Sequence, residues 1–153
     1  MARSPAAGVR VSHVALAVSD LDVSTRFYRE GLGFELGMSF RNGDDMAGVS
    51  EVEPPVRMQC QFLIKDGFRL ELMGWETPAV HGTASQRRNQ RGLTHLSFEV
   101  DDADATQARL IALGGKEIPG ARLYIDEKAI TLVFLADPDG TRIELLQRNA
   151  SPA

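Results

Sequence analysis

Four residues combine a metal-binding side chain with a duplicated position: His13, Glu71, His95 and Glu144. Two imidazoles and two carboxylates form a donor set suited to zinc, nickel, cobalt, manganese or iron. A carboxylate beside such an ion can also move a proton next to a polarised carbonyl. A solitary strand histidine or glutamate usually just faces water, so the weight lies on the repetition. SHVALAVSDLD, starting at Ser12, is echoed by THLSFEVDDAD from Thr94, which sets His13 against His95 and Asp20 against Asp102. DGFRLEL from Asp66 is echoed by DGTRIELL from Asp139, which sets Arg69 against Arg142 and Glu71 against Glu144. The two offsets, 82 and 73, differ by nine residues, so the first half carries a longer middle. The Gly-, Asp- and Pro-rich segment 42–55 supplies it.

The elements that must position these residues follow from local pattern. Residues 9–18 alternate and are rich in β-branched side chains, which predicts a strand. A helix is expected over 21–32, capped by Asp20 or Asp22 and stopped near Gly31 and Gly33. Strands are expected at 34–40, 57–65 and 68–74, the last two joined by Asp66-Gly67, a tight hairpin signal. The second half reads as a strand at 93–100, a helix at 103–113 and strands at 116–123, 129–136 and 141–147, with Asp137-Pro138-Asp139-Gly140 turning the final hairpin. The fold class is α+β: tandem β-α-β-β-β modules, 9–74 and 93–147, in one domain over 9–147.

Strand alternation assigns each side chain to a face. His13 opposes Val14, Leu16 and Val18; His95 opposes Leu96, Phe98 and Val100. Glu71 opposes Leu70 and Leu72, and Glu144 opposes Ile143 and Leu145. All four lie away from the greasy face that packs under the helices. Two sheets curling round a shared concavity would bring them to one point. The same rule puts Gln59, Gln61, Leu132 and Phe134 on the cavity face, and Met58, Cys60 and Phe62 in the core. Arg69 and Arg142 share faces with the two glutamates. The basic stretch QRRNQR offers Arg87, Arg88 and Arg91 to a carboxylate or phosphate of a substrate; a solvated loop is the plainer reading.

Composition bounds the function. Seventeen Lys+Arg against 21 Asp+Glu give 153 residues a net charge of −4, which argues against a nucleic-acid partner. A single cysteine, Cys60, excludes a disulfide framework and a multi-cysteine zinc site. The opening MARSPAAG lacks the apolar core of a signal peptide and no run reaches membrane-spanning length, so a cytoplasmic protein without a membrane partner is expected.

The phrases SHVALAVSDLDVSTRFYREGLGFE, GLTHLSFEVDD and DPDGTRIELLQ resemble the vicinal oxygen chelate superfamily, which includes glyoxalase I, methylmalonyl-CoA epimerase, extradiol dioxygenases and bleomycin- or fosfomycin-resistance proteins. The resemblance runs from about residue 11 to 147. It implies two modules forming a U-shaped mixed sheet around a central metal, often in a homodimer, with the metal positions on His13, Glu71, His95 and Glu144. The glutamate pair and the DPDG turn look like glyoxalase I, while the long loop before GLTH is closer to the CoA epimerases. Those epimerases carry a glutamate base in the region that here reads VRMQCQFL, and an amide cannot replace it. The implied activity is a metal-dependent lyase or isomerase, with proton transfer beside a metal-bound carbonyl through an enediolate. Glu144 is the first candidate for the base, Glu71 its symmetry mate. Nickel, cobalt, zinc or manganese is the expected ion. Alternatives are a ferrous extradiol-type dioxygenase, for which the ion would be iron, and a non-catalytic small-molecule-binding protein on the same fold.

Overall fold

In the computed structural model, which describes residues 8–149, two aspartates start the two helices. The carboxylates of Asp20 and Asp102 each accept the backbone N–H three residues on, from Val23 and Ala105, at 2.9 Å. The first helix, α1 (Leu21–Arg26), widens into a π turn at Phe27–Gly31, where Phe27, Tyr28 and Gly31 are all buried. Its counterpart α2 (Ala103–Ala112) is regular throughout.

The strands of the first half are β1 (Val14–Val18), β2 (Glu35–Asn42), β3 (Arg57–Lys65) and β4 (Phe68–Thr77). Those of the second are β5 (Leu96–Glu99), β6 (Lys116–Ile125), β7 (Ile130–Ala136) and β8 (Arg142–Arg148). Both expected opening strands start late, because their parallel pairing begins only at Val14 opposite Leu70 and Leu96 opposite Ile143. Asp66 and Gly67 turn β3 into β4 with φ of 50° and 78°, as a primed two-residue turn requires.

Hydrogen bonds join these strands as two four-stranded mixed sheets, β1-β4-β3-β2 and β5-β8-β7-β6, rather than as one continuous curved sheet. In each, the first strand runs parallel to the last and the others pair antiparallel. Each half is therefore the β-α-β-β-β unit that the repeat predicts, and the architecture is α+β. One core serves both halves. Leu70 and Leu72 from the first sheet, Ile143 and Leu145 from the second, and Phe27 and Leu110 from the helices are all fully buried in it.

Two contacts lock the halves together. A Cβ on Gly31 would come within 2.4 Å of a Leu110 methyl, so the end of the π turn approaches α2 only because position 31 has no side chain. The fully buried Asp137 accepts the Tyr28 hydroxyl at 2.8 Å and the backbone N–H groups of Asp139 and Thr141 at 3.0 and 2.8 Å. Burial, foremost, holds the Asp137 carboxyl above the usual carboxylate range, partly offset by those donors. Burial and the neighbouring Asp137 push the Tyr28 phenol up as well. No helix among the described residues is long and apolar enough to cross a membrane.

Candidate functional site

His13 sits one residue before β1, and Glu71 projects from β4 on the face opposite Leu70 and Leu72. Their Nε2 and Oε2 atoms are 3.1 Å apart. The other imidazole nitrogen, Nδ1, lies 2.9 Å from the Ser12 hydroxyl. A hydroxyl that accepts from Nδ1–H leaves the Nε2 lone pair free for a cation. Arg69 donates from Nε to the Ser12 carbonyl at 3.1 Å and so tethers the histidine segment. The edge of the His13 ring meets Phe62, centroids 5.2 Å apart, and Phe40 stacks on Phe62 at 6.1 Å.

The second half repeats this skeleton. His95 Nε2 lies 3.6 Å from Glu144 Oε2, with Nδ1 2.9 Å from the Thr94 hydroxyl. Its ring edge meets Phe134 at 5.5 Å. In the β-ladders Phe62 pairs with Glu71 and Phe134 with Glu144, so each phenyl ring occupies the same place in its module. Both carboxylates are largely covered, while about a third of each imidazole is open to solvent.

The four side chains do not converge within one chain. Among the described residues, no three His, Cys, Asp or Glu side chains gather round a point that could hold a metal ion. The sheets explain this: their apolar faces share the central core, so each His–Glu pair sits on the side of its own sheet that faces away from it. In place of the expected meeting point stand two matched His–Glu pairs.

Residues 10–145 match the Glyoxalase/Bleomycin resistance protein/Dioxygenase superfamily. The chain belongs to this superfamily. Among curated relatives, it is 30% identical over 150 residues to the 2-epi-5-epi-valiolone epimerase of an Actinomyces species, covering 90% of this chain and 79% of that one. It is 28% identical over 149 residues to the lactoylglutathione lyase of Haemophilus influenzae, covering 94% and 96%. Its fold also matches the genomically encoded fosfomycin resistance protein FosX of Listeria monocytogenes, solved with Mn(II) and sulfate ion, at a TM-score of 0.58 and 21% identity over 90% of this chain and 91% of that one.

On this glyoxalase-superfamily scaffold the remaining candidates divide. Leu132 and Phe134 lie on the site face of β7, as alternation predicts. Gln59 and Gln61 do not share the site face of β3: Gln61 pairs with Leu72 and Gln59 with Gly74, on the helix side. The Gln61 amide instead donates to the backbone carbonyls of Gly37 and Phe62. The site face belongs to Cys60 and Phe62, expected in the core because they are apolar. Met58 and Cys60 are buried as expected, but on this face, while Leu63 is buried on the other; both parities of β3 carry buried residues, so polarity alone does not assign the faces. Aligning QFL of β3 with VFL of β7 pairs Phe62 with Phe134 and would have found the right face. The Cys60 thiol is pushed up to about 12, by burial first and then by the hydrogen bond and charge of Glu71. Arg87, Arg88 and Arg91 are all exposed on the loop, and of the three only Arg88 stacks over Phe134. Glu99 pairs with Arg148 at 2.9 Å.

Proposed function

We propose that two copies of this chain form a metal-dependent isomerase or lyase of the glyoxalase or epimerase type, the His13–Glu71 pair of one copy completing the His95–Glu144 pair of the other. The observation that carries this reading is the division of one donor set into two matched halves. Two nitrogens and two carboxylates suit nickel, cobalt, zinc or manganese, and half of them do not make a site. Both histidines follow bare apolar chain: Val9 and Val11 are 80% and 90% exposed, and Leu93 is 47% exposed. A second copy would cover such residues. The relatives named as an epimerase and as lactoylglutathione lyase, and the Mn(II) bound by FosX, point the same way.

A divalent ion, when bound, supplies Lewis acidity to a carbonyl oxygen and so acidifies the neighbouring C–H. The chain does the rest. Ser12 and Thr94 fix the imidazoles with Nε2 toward the carboxylates. Glu71, 8% exposed and in the closer pair, stays as a holding group. Glu144, in the looser pair, takes the proton from carbon and returns it to the adjacent carbon of the enediolate. Phe62 and Phe134 wall the reacting group from water.

Elemental analysis of untagged protein tests this. About one equivalent of nickel, cobalt, zinc or manganese per chain, lost in the His13→Ala, His95→Ala double variant, is expected for this donor set. Glu144→Gln should keep part of the metal and lose turnover on α-oxo-thiohemiacetals or acyl-CoA epimers. Iron with oxygen consumption would instead make the protein a ferrous dioxygenase. No metal after reconstitution would make it a small-molecule-binding protein.

A further inference from the structure

Phe134 is contacted on two sides. His95 meets it in a T-shaped contact, centroids 5.5 Å apart, and the guanidinium of Arg88 lies over its face with Cζ 3.3 Å from the ring centroid. Among the described residues no carboxylate stands within 4.0 Å of the Arg88 nitrogens. Beneath the guanidinium a cavity of about 210 Å³ is walled by Leu123, Leu132 and Phe134. The other arginine at its rim, Arg122, is engaged by Asp104. Among the described residues Arg88 is therefore a cation without a carboxylate partner on the wall of an open, partly apolar pocket.

The loop that carries it is anchored. Ser85 Oγ accepts from Arg142 Nη1 at 2.8 Å, and Arg142 lies two residues before Glu144 on the same face of β8. The Gln90 side chain accepts the Gln86 N–H at 2.8 Å, and the Gln90 N–H reaches the Arg87 carbonyl at 3.0 Å. A guanidinium stacked by its face keeps its edge N–H groups in one plane, pointing outward, the geometry that grips carboxylate or phosphate oxygens in pairs. Among the described residues the first half has no such group, and Phe40 stacks on the matching ring.

We propose that Arg88, seated on Phe134, recognises an anionic group of the substrate, a carboxylate or a phosphate or phosphonate, joined by a short apolar stretch in the Leu123–Leu132 pocket to the carbonyl that reacts at His95 and Glu144. The part concerning the carbonyl rests on the function proposed above; the anion subsite does not.

The subsite is tested by ¹H–¹⁵N NMR titration of the full chain after chelator treatment, with butanoate, butylphosphonate and butanol as probes. The two anions should shift the amides of residues 120–123 and 132–134 saturably, and butanol should not. In Arg88→Gln the anion affinity should fall about tenfold or more, the loss expected for a charge-assisted contact. Arg88→Lys should recover part of it. Tighter butanoate marks a carboxylate substrate, tighter butylphosphonate a phosphate or phosphonate. Anions that leave those amides unmoved, or bind Arg88→Gln as tightly as wild type, overturn the proposal. The titration is metal-free, so a chain that failed to bind metal would still give the anion result, and the two readings fail separately.

Discussion

The two half-sites are built on one skeleton and finished differently. Each has a hydroxyl on Nδ1, a carboxylate facing Nε2, and a phenyl ring against the imidazole edge. Around that skeleton the first half closes: its His–Glu gap is 3.1 Å, Phe40 stacks on Phe62, and Arg69 ties down the histidine segment. The second half opens: its gap is 3.6 Å, a guanidinium replaces the second aromatic ring, and Arg142 anchors the loop that delivers it. Cys60 stands beside Glu71 where Leu132 stands in the other module. Duplication preserved the His–Glu pair, and the departures lie around it. Under the function proposed above, the first half would hold the ion and the second would react and recognise.

The strongest way to break this comparison is to separate the halves. A chain carrying His13→Ala and Glu71→Gln, and another carrying His95→Ala and Glu144→Gln, should each lose the metal. Mixed after unfolding and refolding together, they should regain about a quarter of the wild-type metal content, since half of the randomly formed dimers are mixed and each mixed dimer holds one intact site of two. Elemental analysis of the refolded mixture decides it. No recovery would mean that the halves complete each other within a chain, or not at all.

A smaller but still large effect is expected where the halves join. Asp137→Ala leaves the Tyr28 hydroxyl and two backbone N–H groups without their buried acceptor. The loss should be about 2–4 kcal/mol of unfolding free energy, measured by urea denaturation. This lock was only half legible beforehand. The sequence Asp137-Pro138-Asp139-Gly140 announces a turn, but nothing in a turn motif says that its first side chain will also reach a tyrosine of the other module. Periodic elements and the duplicated His–Glu pairs were readable because alternation and repetition act along the chain. Polarity assigns the wrong face of β3 for a physical reason: a strand with apolar residues on one parity and amides on the other reads as half-buried, yet here Gln61 donates to backbone carbonyls and Gln59 to the Ser39 hydroxyl, while Phe62 faces the site. The division of the donor set between two sheet faces depends on how the modules share a core, which no local pattern encodes.

Asp137 also sets a pH dependence. Its carboxyl is held above the ordinary range, chiefly by burial, so the folded state takes up the proton more readily than the unfolded chain. The resulting contribution to stability is complete below the unfolded-state value, about 3.9, and is lost as pH rises through the folded value. Asp137→Asn keeps the shape and removes the titration. Measured against wild type from about pH 4 upward, the variant's relative stability should therefore improve with rising pH. A constant difference across that range would show that Asp137 has no such linkage.

The finest test asks whether Glu71 and Glu144 differ in what surrounds them. The chain has a single cysteine, so the ¹³Cβ shift of Cys60 can be followed against pH without ambiguity. Burial is the larger reason that its thiol is pushed up to about 12, and the hydrogen bond and charge of Glu71 are the next. In the metal-free chain, Glu71→Gln removes the charge and leaves the burial, so the thiol should titrate at lower pH than in wild type but still above a free thiol's range of about 8.5. Glu144→Gln should leave the curve where it was, because the position matching Cys60 in that module is Leu132. A shift of equal size in both variants would mean that Cys60 senses the overall charge of the site rather than the carboxylate beside it. The closed character of the first half would then rest on Phe40 and Arg69 alone.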